Sequence, residues 1–179
     1  MTAALMLTSQ PGSVIAAETT SETEATDNWT TEFDAETGTL TISGTGACDL
    51  AATPEQSESV TKMVVAEGIT SIHFYGFKNV SQVSLPNTLT EIKENSFANC
   101  EKLTEIDIPQ SVTKIGDHAF SVCSKLEKVV LHEGLKTIST SAFYQCEVLK
   151  EITIPQTVEQ IGDFAFGHCY GLQEIEIPS

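Results

Sequence analysis

Four segments of 23 residues, 80–102, 103–125, 126–148 and 149–171, align with one another without a gap. A fixed period constrains the fold more than any local motif. It means the chain is built of like units, none of which can bury its apolar face alone. The shared pattern is L-x-x-I-x-I-P-x-x-V-x-x-I-x-x-x-A-F-x-x-C-x-x. Leu103, Ile106, Ile108, Val112, Ile115, Ala119, Phe120 and Cys123 carry it in the second copy. Leu149, Ile152, Ile154, Val158, Ile161, Ala165, Phe166 and Cys169 carry it in the fourth. A worn copy over 60–79 keeps Met63, Val65, Ile69, Ile72 and Phe77 but is shorter and lacks the cysteine. A partial copy, 172–179, supplies only the first strand.

Within a unit the periodicity changes along the chain. Glu105-Ile106-Asp107-Ile108 alternates polar and apolar residues, as a half-buried strand does, and Pro109 then ends it. A second short extended piece follows at V-x-x-I, and A-F-x-x-C suits a tight helical or 3₁₀ turn that drops Phe inward. The expected fold is a repeat solenoid with parallel β-strands and short helical or 3₁₀ turns. Its core grows by roughly 4.8 Å per rung.

The unit resembles the leucine-rich repeats of the BspA-like bacterial surface proteins, whose hallmark is this I-P-x-x-V-x-x-I-G-x-x-A-F-x-x-C string. The likeness covers about residues 60–179. Upstream, W-T-T-E-F-D-A-E-T-G-T-L-T-I-S-G-T-G-A (29–47) resembles the hairpin segment preceding such repeats in that family. It reads as a hairpin unaided, with Phe33 and Leu40/Ile42 alternating with polar residues around Glu36-Thr37-Gly38. Residues 28–59 are therefore expected to form a hairpin cap followed, from 48, by a polar linker. The resemblance implies a leucine-rich-repeat fold and adhesion to host or neighbouring-cell proteins.

The net charge of −16, with nine basic against 25 acidic residues, disfavours nucleic acid as a partner, because phosphate contacts need clustered Lys or Arg. Residues 18–27 (ETTSETEATD) read as an acidic disordered tether. Before them, 1–17 reads as a signal-peptide remnant with small residues at Ala16 and Ala17, although a basic start is missing. An extracellular or cell-surface location follows as the expectation. No run approaches the ~20 apolar residues of a membrane-spanning helix.

Cys100, Cys123, Cys146 and Cys169 recur every 23 residues. Rungs spaced by about 4.8 Å do not suit the ~3.8 Å Cβ separation of a disulfide, and nothing basic recurs beside the cysteines to activate a thiolate. They read as buried core. Cys48, in the expected linker, is the one candidate for exposure and pairing between chains. His73, His118, His132 and His168 form no column, and the neighbouring His168-Cys169 is expected to point its two side chains apart. No catalytic residue, metal ligand set or cofactor site is assigned, and the chain is read as non-catalytic.

What varies between copies is the outward face of the first strand. One column is Gln82, Glu105, Lys128, Glu151, Glu174, and beside it runs Ser84, Asp107, Val130, Thr153, Glu176. These ten residues are the candidate partner-binding site, with ordinary strand-surface variation as the alternative. The third copy departs most, with Val130 outward and His132-Glu133-Gly134 in place of Pro-Gln-x; the worn copy has Val64 and Ala66-Glu67-Gly68. The expected function is a secreted or surface-displayed module that binds an extracellular protein. The alternatives are a glycan or cell-wall binding module, or an accessory domain of a larger surface protein or enzyme. The outward columns hold no Trp or Tyr, while Tyr75, Tyr144 and Tyr170 lie in or near turns, so a glycan site would have to sit at an edge. The incomplete rung at 172–179 leads us to expect further repeats or another domain after it.

Overall fold

The computed structural model of the protein describes residues 27–177. The segment read as a signal remnant, and the tether up to residue 26, lie outside the described residues. In chain order the elements are β1 (Asn28–Asp34), β2 (Thr39–Ala51), α1 (Pro54–Ser59), β3 (Lys62–Val65), β4 (Ile69–Tyr75), β5 (Gln82–Ser84), β6 (Glu91–Ile92), β7 (Glu105–Asp107), β8 (Lys114–Ile115), β9 (Lys128–Val130), β10 (Thr137–Ile138) and β11 (Gln160–Ile161).

Most copies contribute two strands, one to each of two parallel sheets. In β7 the alternation reads exposed, buried, exposed, so Ile106 enters the core between Glu105 and Asp107. The proline corner then redirects the chain into the second strand. The second strands stack as β4-β6-β8-β10-β11, all parallel, with Ile72, Ile92, Ile115, Ile138 and Ile161 in register. This is the parallel-strand solenoid expected from the repeat.

The A-F-x-x-C stretch carries 3₁₀-type bonds but does not run on as a helix. Ala119 N–H donates to the Gly116 carbonyl (3.3 Å) and Ser121 N–H to that of His118 (3.0 Å). Alternate amides instead reach the next rung: His118 to Thr140 (3.0 Å), Phe120 to Ala142 (2.8 Å) and Val122 to Tyr144 (2.8 Å). This needs left-handed residues before Ala and before Cys. His118 (φ 55°) and Val122 (φ 62°) take that form, as do Asn95, Asn99, Ser141, Gln145, Phe164 and His168. A non-glycine residue there costs roughly 1–2 kcal/mol, offset by backbone groups that would otherwise be buried unpaired.

The interior is a set of columns. Phe97, Phe120, Phe143 and Phe166 stack face to face with centroids 5.2, 5.2 and 5.5 Å apart. Beside them the Sγ of each of the four repeat cysteines donates to a phenylalanine carbonyl of a preceding rung: Cys100 to Phe77 (3.4 Å), Cys123 to Phe97 (3.1 Å), Cys146 to Phe120 (3.2 Å) and Cys169 to Phe143 (3.1 Å). All five cysteines are free and buried.

The N-terminal hairpin does more than cover the first rung. β1 pairs antiparallel with β2, placing Phe33 opposite Leu40. The first half of β2 lies parallel to β3, with Leu40 beside Met63 and Ile42 beside Val65. After a bend its second half lies parallel to β4, with Cys48 beside Ile72 and Leu50 beside Phe74. One strand therefore serves both sheets as an extra rung. Glycine is required at the bend: at Gly44 (φ 126°) a Cβ would sit 2.0 Å from the Asn28 carbonyl, and at Gly46 (φ 89°) 2.3 Å from Asp27 Oδ1.

Two expectations are corrected here. Cys48 is 1% exposed, and burial, with the charges of Asp49 and Asp27, pushes its thiol up to about 12, so it is core rather than a pairing thiol. The expected polar linker, 48–59, holds the end of β2 and helix α1. A capping box starts α1, with Gln56 N–H donating to Thr53 Oγ1 (3.2 Å) and Thr53 N–H to Gln56 Oε1 (3.0 Å).

Candidate interaction face

The sheet of first strands is interrupted. Gln82 N–H donates to the Thr61 carbonyl (3.3 Å) and Lys128 N–H to the Thr104 carbonyl (3.3 Å). Among the described residues no equivalent bond joins Glu105 to Ser81, and no ladder links β5 to β7. On the opposite sheet the same two rungs remain paired through Glu91–Lys114 and Ile92–Ile115. The rungs thus part on one side only. The gap is a groove of about 490 Å³ lined by Ser81, Gln82, Val83, Thr104, Glu105, Ile106, Asp107, Lys128 and Val130. A second groove of about 400 Å³, bounded by Ser84, Asn87, Asp107, Gln110 and His132, shares Val83 and Asp107 with it. Val83 is an inward-column residue left half-buried by the opening.

The ten candidate residues divide by location. Gln82, Glu105, Asp107, Lys128 and Val130 meet at the first groove and Ser84 at the second. Glu105 lies in register with Lys128, and Asp107 with Val130. Glu151 adjoins β9 through a single bridge to Lys128, whose Nζ stands 3.7 Å from its carboxylate. Thr153, Glu174 and Glu176 line a separate hollow of about 560 Å³ with Ile152 and Ile177. The columns therefore form one acidic face with a lone lysine and three openings. His132, whose Nε2 lies 2.7 Å from Asp107 Oδ1, belongs to the same face and was not singled out as a site residue from the sequence.

The two deviant copies have a structural account of their own. Gly68 N–H donates to Thr88 Oγ1 (2.9 Å), which donates onward to the Ile69 carbonyl (2.9 Å). Gly134 repeats this with Thr157 Oγ1 (2.9 Å) and the Leu135 carbonyl (2.8 Å). Glu67 accepts from the amides of Asn87 and Thr88 (3.1 Å each), which hold its carboxyl below the usual value, and Glu133 accepts from Gln156 (3.3 Å). A Glu-Gly corner thus tethers the following Pro-x-Thr corner. Ser111 takes the threonine's place over a corner without glycine, and its Oγ is buried with no partner. Val64 and Val130 remain half-buried.

The remaining chemistry is quiet. Burial pushes the Cys100 thiol up to about 12; the neighbouring sulfur, Cys123 beside Cys146 and Cys146 beside Cys169, together with burial raises the other two. His168 turns outward to share a hydrogen bond with the Tyr170 hydroxyl while Cys169 points in. His73 Nδ1 lies 3.1 Å from Asp49. Among the described residues no three His, Cys, Asp or Glu side chains converge as metal ligands, and no helix is long and apolar enough to cross a membrane.

Comparison with known proteins agrees with this geometry. The chain is similar to a leucine-rich repeat protein from Bacteroides ovatus (22% identity, TM-score 0.53), covering 86% of this chain and 53% of that one. It is similar to a leucine rich cell surface protein from Faecalibacterium prausnitzii (20%, TM-score 0.53; 89% and 55% covered). It is also similar to the pneumococcal vaccine antigen PcpA (20%, TM-score 0.61; 77% and 45% covered). The chain spans about half the length of these three proteins. No curated protein compared with the chain matches it. The family model for the BspA type leucine rich repeat region matches residues 55–179 in six copies. With rungs, columns and corners all following that repeat, the chain belongs to the BspA-type leucine-rich repeat family.

Proposed function

We propose that this chain is a non-catalytic module displayed outside the cell, which binds an extracellular protein through the face of β5, β7 and β9. The observation that carries the reading is the parting of β5 from β7. It gathers Gln82, Glu105, Asp107, Lys128 and Val130 around one opening and leaves strand edges free for backbone hydrogen bonds. A rigid stack of rungs holds these groups in place, so little ordering entropy is lost on binding. The face is acidic, which favours a partner presenting a basic segment and makes capture faster at low ionic strength. The surface location is supported by the family, by the cell-surface protein and the vaccine antigen among its structural neighbours, and by the signal-like segment at 1–17.

The test is capture from host extracellular matrix at low and moderate salt, with Glu105→Ala/Asp107→Ala and Lys128→Ala/Val130→Ser pairs. We expect the first pair to abolish the salt-sensitive part of binding. Binding indifferent to both pairs would remove the strand face from consideration.

A further inference from the structure

A second, separate surface lies at the turn edge of the last complete rung. Phe164 and Tyr170 are each 72% exposed, the most open large apolar side chains among the described residues. Both occupy positions held by polar groups elsewhere: the exposed Asn95 and His118 and the buried Ser141 for Phe164, and Glu101, Ser124 and Glu147 for Tyr170. Phe164 also has a left-handed backbone (φ 55°), a conformation that disfavours an aromatic and suits the Asn found at 95. The backbone geometry does not call for phenylalanine here.

The neighbours of these two rings complete a platform. His168 stands edge-on between Tyr144 (centroids 5.1 Å, 87°) and Tyr170 (5.5 Å, 77°), with its Nδ1 tied to the Tyr170 hydroxyl. Gly167 lies between Tyr144 and Phe164. A Cβ there would meet the Tyr144 ring at 3.0 Å and Phe164 Cβ at 3.2 Å, so the missing side chain leaves a shallow floor. The exposed Phe164 and Tyr170 rings, beside a hydroxyl and an imidazole, match a sugar ring. The C–H face of a sugar is apolar, and its rim is made of hydroxyls that both donate and accept. The −16 net charge selects against polyanionic chains.

We propose that Tyr144, Phe164, His168 and Tyr170 form a binding site for a neutral glycan, independent of the strand face. The rings stack on successive pyranose faces, and the His168–Tyr170 pair fixes the tilt of the second ring.

The test is titration of the purified chain with cellohexaose and chitohexaose by calorimetry, following His168 ring protons by NMR, with polygalacturonate as the anionic comparator. At least one neutral hexasaccharide should bind and shift His168, while polygalacturonate should not. Tyr170→Ala should weaken binding about tenfold. Phe164→Asn should weaken it similarly while raising the melting temperature, because it relieves the backbone, so lost binding cannot be ascribed to misfolding. Glu105→Ala/Asp107→Ala should bind the sugar normally even if matrix capture is lost. No binding of either hexasaccharide, binding unchanged in Phe164→Asn, or concentration-dependent dimerisation that Phe164→Asn abolishes would each overturn the assignment, the last marking the patch as a contact between copies.

Discussion

Removing one ring from the phenylalanine column is the most searching test of how the rungs cooperate. Phe120 is fully buried and stacks on Phe97 and Phe143 at 5.2 Å on either side, at 14° and 4°. Phe→Ala in a core costs about 3–5 kcal/mol, and each lost aromatic pair adds about 0.5–1.5 kcal/mol. Phe120→Ala is therefore expected near 5 kcal/mol or above. Phe166 belongs to the same column but is only half-buried, with a single ring neighbour at 5.5 Å. Phe166→Ala is expected at about 2–3 kcal/mol. Urea unfolding followed by far-ultraviolet circular dichroism and by Trp29 fluorescence reads both variants. Because stability in a stacked array is the sum of unit and neighbour terms, Phe120→Ala should also separate the two signals. Trp29 in the cap would then report the N-terminal rungs, while circular dichroism reports an earlier loss of the C-terminal ones. If Phe120→Ala fails to fold, Phe120→Leu supplies the same comparison at smaller cost. Equal costs at 120 and 166, with coincident transitions, would refute the neighbour-by-neighbour account.

Three shorter predictions accompany it. Ser111→Ala, which removes the unpartnered buried hydroxyl, should leave stability unchanged or raise it by about 1 kcal/mol, whereas Thr88→Ala, which breaks both corner bonds, should cost about 1–2 kcal/mol by urea midpoint. A thiol-reactive disulfide reagent at pH 8 should find no fast cysteine in the folded protein and five after denaturation; one fast thiol would contradict the burial of all five. The carboxyls of Asp34, held down by the Thr37 hydroxyl, Glu58, by Lys78, and Glu67, by the Asn87 amide, lie below their ordinary 3.8, 4.5 and 4.5. Their folded values being depressed, the stability they add is present above those ordinary values and lost as pH falls through the lower folded ones. The urea midpoint should accordingly hold down to about pH 5 and decline below pH 4.5; a midpoint that climbs through this window would show that relief of the net negative charge dominates.

The repeat made the interior legible because a column is its own evidence: Phe97, Phe120, Phe143 and Phe166 occur at one interval, and only stacking explains it. The cap was harder. Leu40, Ile42, Cys48 and Leu50 all share one parity, so the continuous strand was written in the sequence, but the polar linker expected from 48 cut it short, and Gly44 and Gly46 before it suit a strand end. In the structure they bend it, since positive φ at two alternate positions turns a strand without stopping it. The outward columns could be drawn from the alternation alone. The parting of β5 from β7 could not, because V-S-Q-V-S-L-P and L-T-E-I-D-I-P follow the same pattern and nothing local marks a missing ladder. The Glu-Gly corners were noticed as deviations, yet their meaning lies in the threonine one rung later, a relation visible only once rungs are stacked.

The bonds between rungs also decide how the molecule would behave under tension. They run along the solenoid axis and join residues about one repeat apart, as from Phe120 to Ala142 or Lys136 to Thr113. A pull on the two chain ends would load the outermost rung first and leave the others unstressed until it gives way, so the bonds open like a zip rather than shearing together. Each released repeat frees 23 residues, roughly 76–83 Å of fully extended chain. A protein of this design lengthens in equal steps at modest force, and each step can be reversed by one rung settling back on its neighbour.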